Sequence, residues 1–212
     1  ILVIEWVDFT GGGNGLPNVP GLVLFDWTVP RGWPVTAYVW GFVALGVDFL
    51  SIAGGTPPYE DQARQMFTSL DMGKVVGEGL AAIEWLKSNP ATNGKVGSVG
   101  FCWGGGLSNR LAVVSPDLGA AVAYYGLQPK AEDAAKIKGR LLLHYGGLDN
   151  RINAGIPAWE AALKAAGVDY RIYIYEGANH AFNNDTSSAR YDKAAADLAW
   201  SRTVEFLKTS LS

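Results

Sequence analysis

The sequence predicts an α/β fold built on a mostly parallel, doubly wound sheet with helices on both faces. Three observations carry this reading. Strand-like runs alternate with segments of helical apolar spacing from Gly41 to the C-terminus. The chain holds 27 glycines, well above the usual share of about 7%, which suits many tight loops at strand ends. Residues Val96–Gly106 (VGSVGFCWGGG) read as a strand, a sharp turn and the first turn of a helix. A length of 212 residues fits one domain, 1–212, with a sizeable core.

Taken in order, Ile1–Val7 (ILVIEWV) reads as a buried strand. It opens at the first residue, so the lead-in strands of the sheet are expected to be missing from the numbered chain. Phe9–Gly15 is a glycine-rich loop that matches neither G-x-G-x-x-G nor a phosphate loop. It is read either as a plain connector or as the source of a backbone donor for the site. Pro17, Pro20, Pro30 and Pro34 exclude a helix of useful length, and one short helix is expected near Val35–Trp40. Gly41–Leu50 is a second strand, parallel to the first, and Ser51–Pro58 is a loop.

A helix is expected over Glu60–Ser69. Asp71 caps a longer one through Lys87, whose rows Val75, Gly79, Ala82, Leu86 and Val76, Leu80, Ile83 form one buried face. Asn93-Gly94 turns into the strand at Val96, and Leu107, Leu111 and Val114 continue at helical spacing after the glycines. Gly119–Tyr125 and Arg140–Tyr145 are strands. Ile156–Ala166 is a helix stopped by Gly167. Asp169–Tyr175 is a strand rich in β-formers. Glu176–Asp185 is a loop. Ser188–Leu211 is the final helix, with Ala196, Trp200, Val204, Leu207 and Leu211 facing the sheet.

The composition excludes several classes. Apolar residues make up 49% and charged residues 17%, so the chain is a globule and not a disordered segment. Net charge is −3 with no basic stripe, which excludes a nucleic-acid partner. No apolar run reaches the ~18 residues of a membrane span. The one cysteine forms no internal disulfide, and two histidines with no C-x-x-C or H-x-x-x-H pairing leave no metal site in the sequence. The chain as given carries no signal peptide, so the location is read as cytoplasmic, or periplasmic if an export signal has been removed. Oligomeric state is not legible.

The stretch Gly100-Phe101-Cys102-Trp103-Gly104 has the form G-x-C-x-G. It is the pattern of a nucleophile on a tight strand-to-helix turn, with cysteine at the apex. Strand and helix nearly touch on either side of such a turn, so side chains at Gly100 and Gly104 would collide. The Trp103 N–H, at the helix start, points to where an oxyanion would form. Asp149 follows a later strand and His180 the last one, so all three belong at the carboxyl edge of the sheet. A thiol is only partly ionised at neutral pH. An imidazole can take its proton, and a carboxylate on the other ring nitrogen fixes the tautomer. Singly, Asp149 reads as well as a turn cap before Asn150, Cys102 as a buried structural thiol, and His180 as an ordinary loop histidine. His144, inside LLLHY, reads as core.

Four segments resemble the dienelactone hydrolase (carboxymethylenebutenolidase) family of α/β-hydrolases. They are Gly100–Gly105, Tyr124-Tyr125-Gly126, His144–Asp149 and Tyr175–Phe182 (YEGANHAF). The resemblance spans Gly41 to the C-terminus. It implies Cys102 as nucleophile, His180 as base and Asp149 as its orienter. It implies a small-molecule ester or lactone substrate, an acyl-thioenzyme and no cofactor. Backbone donors are placed at Trp103 and near Glu5–Trp6. Glu5 also stands near the position of the family's early glutamate, and Tyr125, Arg151 and Phe182 are candidates to touch substrate. Three features depart from the family. The family's pattern around its early glutamate is not recognisable beside Glu5, no arginine follows His180 closely, so that Arg64 and Arg151 would have to approach from other loops, and residues 8–40 do not resemble it. Two other readings stand beside the first: a thioesterase or promiscuous carboxylesterase on the same three residues, and a hydrolase-like scaffold that binds without turnover.

Overall fold

The computed structural model describes residues 2–4, 35–39, 41–47, 49–50, 60–185 and 187–212. The strands are β1 (Leu2–Ile4), β2 (Val35–Val39), β3 (Phe42–Gly46), β4 (Val96–Phe101), β5 (Leu118–Tyr124), β6 (Arg140–Gly146) and β7 (Tyr170–Tyr175). They form one sheet in the order β2-β3-β1-β4-β5-β6-β7. All neighbours are parallel except β2 and β3. The helices are α1 (Glu60–Thr68), α2 (Met72–Ser88), α3 (Trp103–Val114), the four-residue α4 (Asn150–Asn153), α5 (Ile156–Ala165) and α6 (Lys193–Leu211).

Both faces of the sheet are buried, and successive residues of a strand serve opposite cores. On β5, Ala121 and Ala123 join α2, α3 and α5 in one apolar cluster through Ile83, Leu107, Leu111 and Trp159. Ala120, Val122 and Tyr124 join α6 in the other through Phe206, Leu207 and Leu211. Asp71 caps α2 by accepting from the N–H groups of Gly73 and Lys74. Gly79 is required where α2 meets α3, since a Cβ there would lie 2.9 Å from a methyl of Leu111. Of the face expected on α2, Val75, Gly79, Ala82, Ile83 and Leu86 are buried, whereas Leu80 is exposed.

Two expectations are corrected. The short helix near Val35–Trp40 is instead strand β2, paired antiparallel with β3. Val35, Thr36, Tyr38 and Val39 are β-branched or aromatic, and Gly41 at φ 86 lets the chain turn back into Phe42. The last helix begins at Lys193, not Ser188, with Asp192 as its cap. Its fully buried row is Ala195, Ala199, Thr203 and Phe206, with Leu207 and Leu211 buried as expected, while Ala196 and Trp200 pack half-buried against the same core. The polar Thr203 lies in the core because Tyr124 and His144 both hydrogen-bond to it, which apolar spacing does not reveal.

Candidate active site

β4 runs into Cys102 and directly out through α3. At the apex Cys102 takes φ 52 and ψ −113, a conformation that L side chains rarely adopt. The neighbouring backbone leaves no room for anything but glycine. A Cβ on Gly100 would sit 2.0 Å from the Gly104 carbonyl oxygen, and one on Gly105 would sit 2.6 Å from that of Tyr124. The Cys102 N–H donates to the Tyr124 carbonyl at 3.0 Å, which ties the turn to the end of β5.

The other two residues arrive from the ends of β6 and β7. His180 Nε2 lies 3.2 Å from Cys102 Sγ, and His180 Nδ1 lies 2.5 Å from Asp149 Oδ2. The Asp149 carboxylate accepts a hydrogen bond from Nδ1–H, which leaves Nε2 as the ring nitrogen that can accept, facing the thiol. Asp149 is 7% exposed. Its other oxygen accepts the Ile152 N–H at 3.3 Å and so caps α4. Turn cap and histidine partner, alternatives in the sequence, are thus one side chain with an oxygen for each task. A Cβ on Gly146 would lie 2.5 Å from the Asn179 carbonyl, so glycine also permits the close approach of the loops bearing Asp149 and His180.

Burial pushes the Cys102 thiol pKa up, and the charge of Asp149 adds to this. The Trp103 N–H against the sulfur and the positive charges of Arg151 and Arg190 pull it down, without cancelling the burial. The net direction favours the protonated thiol, which lies 3.2 Å from the His180 imidazole.

The sequence profile of the dienelactone hydrolase family matches residues 38–211. The chain belongs to the dienelactone hydrolase family. A Saccharolobus solfataricus relative is 38% identical over 136 residues, which is 64% of this chain and 51% of its own. The carboxymethylenebutenolidase of Pseudomonas putida is 35% identical over 151 residues, 69% of this chain and 62% of that protein. The chain thus spans about half to three-fifths of the length of these curated relatives. A dienelactone hydrolase-like promiscuous phosphotriesterase from metagenomic libraries superposes with a TM-score of 0.68 at 23% identity, over 81% of this chain and 76% of its own. That likeness establishes the α/β-hydrolase fold.

The remaining candidates in this family member fall in different places. Trp103 opens α3, and its ring packs on Phe67 of α1 at 4.9 Å and on Phe49 at 5.8 Å. Tyr125 lies against His180, with ring centroids 4.8 Å apart. Arg151 is exposed on α4, two residues beyond Asp149. Phe182 is corrected. It has no exposed surface and packs edge-on beneath Tyr125, so it supports the wall of the site without facing substrate. Glu5 and Trp6 lie outside the described residues, as does the side chain of Arg64. Sequence reasoning missed Phe49, Phe67, Asn183 and Arg190. Phe49 and Phe67 carry an aromatic signal but no spacing that links them to Cys102, and Arg190 falls in the stretch read as the start of the final helix, which in fact begins at Lys193. Among the described residues, no group of three or more His, Cys, Asp or Glu side chains is placed to hold a metal ion, and no helix is long and apolar enough to cross a membrane.

Proposed function

We propose that this chain is a cysteine-dependent hydrolase of a small ester or lactone, working through an acyl-thioenzyme. The observation that carries the reading is the continuous contact from sulfur to imidazole to carboxylate, 3.2 Å and 2.5 Å, on a strained apex beside a helix N-terminus. As Cys102 Sγ bonds to the substrate carbonyl carbon, its proton passes to His180 Nε2. The carbonyl oxygen becomes an oxyanion facing the Trp103 N–H, with a second backbone donor near Glu5–Trp6 as part of the proposal. Collapse breaks the carbon–oxygen bond of the ester, and the leaving alkoxide takes the proton from His180. For a lactone that alcohol stays attached to the acyl group. Water then gives a proton to His180 and attacks the thioester carbon. The thiolate leaves and recovers the proton, releasing the acid. Asp149 holds the imidazolium through both half-reactions. The charges of Arg151 and Arg190 on the same thiol favour a substrate that itself carries an acid group.

A panel of p-nitrophenyl acetate, neutral lactones and carboxylate-bearing lactones tests this. Wild-type protein is expected to turn over with a burst of nitrophenol. His180→Ala is expected to lose about 10³-fold or more in kcat/KM, and Cys102→Ser to fall strongly. Absence of turnover on the whole panel, with wild type and variants alike, overturns the reading in favour of a binding scaffold.

A further inference from the structure

Three non-glycine residues among the described ones have positive φ: Cys102, Ala181 and Tyr125. Cys102 carries the sulfur and Ala181 follows His180. Tyr125 holds φ 39 just past the end of β5, where a glycine would rest without strain and where the next residue is in fact Gly126. Strain of this kind at a bulky aromatic persists where the side chain is needed in one place. Tyr125 is 3% exposed. Its ring lies 4.8 Å from that of His180 at 57°, its hydroxyl donates to Asn183 Oδ1 on the loop that carries His180, and its own N–H donates to the His144 carbonyl at 2.7 Å. Phe182 packs against it edge-on at 5.5 Å from beneath, at 77°.

We propose that Tyr125 is a positioning residue for His180, resting on the hydrolase reading above. Its ring walls one side of the imidazole, and its hydroxyl pins the His180 loop through Asn183. The carboxylate of Asp149 fixes only one ring nitrogen and leaves rotation about that hydrogen bond open. The Tyr125 ring closes this freedom, so that Nε2 stays aimed at Cys102 Sγ. The same ring shields the bond between Nδ1–H and Asp149 from water. Tyr125 itself exchanges no proton with substrate, and its effect is read through His180.

Two readouts on the intact protein test this. The first is the proton NMR signal of the His180 Nδ1–H, assigned by its absence in His180→Ala. It is expected downfield of the amides in wild type, retained in Tyr125→Phe and lost to solvent exchange in Tyr125→Leu. The second is ester hydrolysis, where Tyr125→Leu is expected to lower kcat about tenfold with KM within twofold, and Tyr125→Phe to lower it about threefold. If Tyr125→Leu does not fold, Tyr125→Phe and Asn183→Ala take its place. Each is expected to lose the same threefold, and the double variant to lose no more than either alone. An unchanged Nδ1–H signal in folded Tyr125→Leu, or wild-type kcat in both Tyr125→Phe and Asn183→Ala, overturns the proposal. Because the NMR signal needs no turnover, an inactive wild type would sink the hydrolase reading and leave the positioning of His180 measurable on its own.

Discussion

The chain has two histidines, and the structure gives them opposite surroundings. His144, on β6, is fully buried against α6, with Nδ1 2.9 Å from the Tyr175 hydroxyl and Nε2 3.0 Å from Thr203 Oγ1. Arg202 donates to the same Tyr175 hydroxyl at 3.2 Å and lies over the Tyr173 ring. Arginine can only donate, so the arrangement that satisfies each atom runs one way. Tyr175 donates to His144 Nδ1, and His144 Nε2–H donates to Thr203, whose oxygen also contacts the Tyr124 hydroxyl. Burial, aided by the Arg202 charge, brings the His144 pKa down to about 3. His180 instead has a carboxylate on one nitrogen, a thiol on the other and a side chain 24% exposed. The difference lies in the partners. Neutral hydroxyls make an imidazole a structural bracket, whereas an anion on one nitrogen and a thiol on the other are the surroundings that the proposed proton transfer requires.

Removing the anion is the strongest way to break this contrast. Asp149→Asn keeps the shape but presents an amide to Nδ1, and kcat is expected to fall by about 10³–10⁴-fold in the p-nitrophenyl acetate assay. A variant within tenfold of wild type would show that His180 does not depend on that carboxylate. The matching change in the bracket, His144→Leu, leaves the hydroxyls of Tyr175 and Thr203 without their imidazole. It is expected to cost about 2–4 kcal/mol in urea unfolding, while the folded fraction keeps its kcat/KM within about threefold.

The smallest effect sharpens the comparison by pH. His144 has a folded pKa of about 3, below its ordinary value, so the folded state resists binding a proton that the unfolded chain accepts. Its contribution to stability is complete above about pH 6.5 and is lost as pH falls from there toward 3, with a slope of at most ~1.4 kcal/mol per pH unit. Wild-type protein is expected to show that slope in chemical denaturation between pH 6 and 4, and His144→Leu a flatter one. Equal slopes would remove His144 as the titrating group.

The candidate catalytic residues were more legible in the sequence than those that hold them. Cys102, Asp149 and His180 each follow a strand, and a parallel sheet brings strand ends together whatever lies between. The elbow glycines were readable for a related reason, because crowding at Gly100 is a property of the turn itself. The supports depend on contacts between distant segments, which local patterns do not encode. Thr203 looks like a surface residue in the sequence until Tyr124 and His144 are seen to bond to it. Phe182 looked like a pocket wall, yet it is the layer beneath Tyr125. The strand at Val35–Val39 was obscured by the prolines before it, although its own residues favour extended backbone.

The elbow glycines also bear on how this chain could change. The frame that sets the apex is made of backbone meeting backbone, at Gly100 against Gly104 and at Gly105 against Tyr124 and Gly126. None of these contacts involves the sulfur of Cys102. The frame therefore makes no demand on the side chain at the apex beyond its size, and exchanging sulfur for oxygen there is expected to leave the fold as it is. The surrounding glycines have no such latitude, since any side chain there must displace main chain. Innovation on this framework is cheapest at the apex, the position whose side chain the glycine contacts leave free.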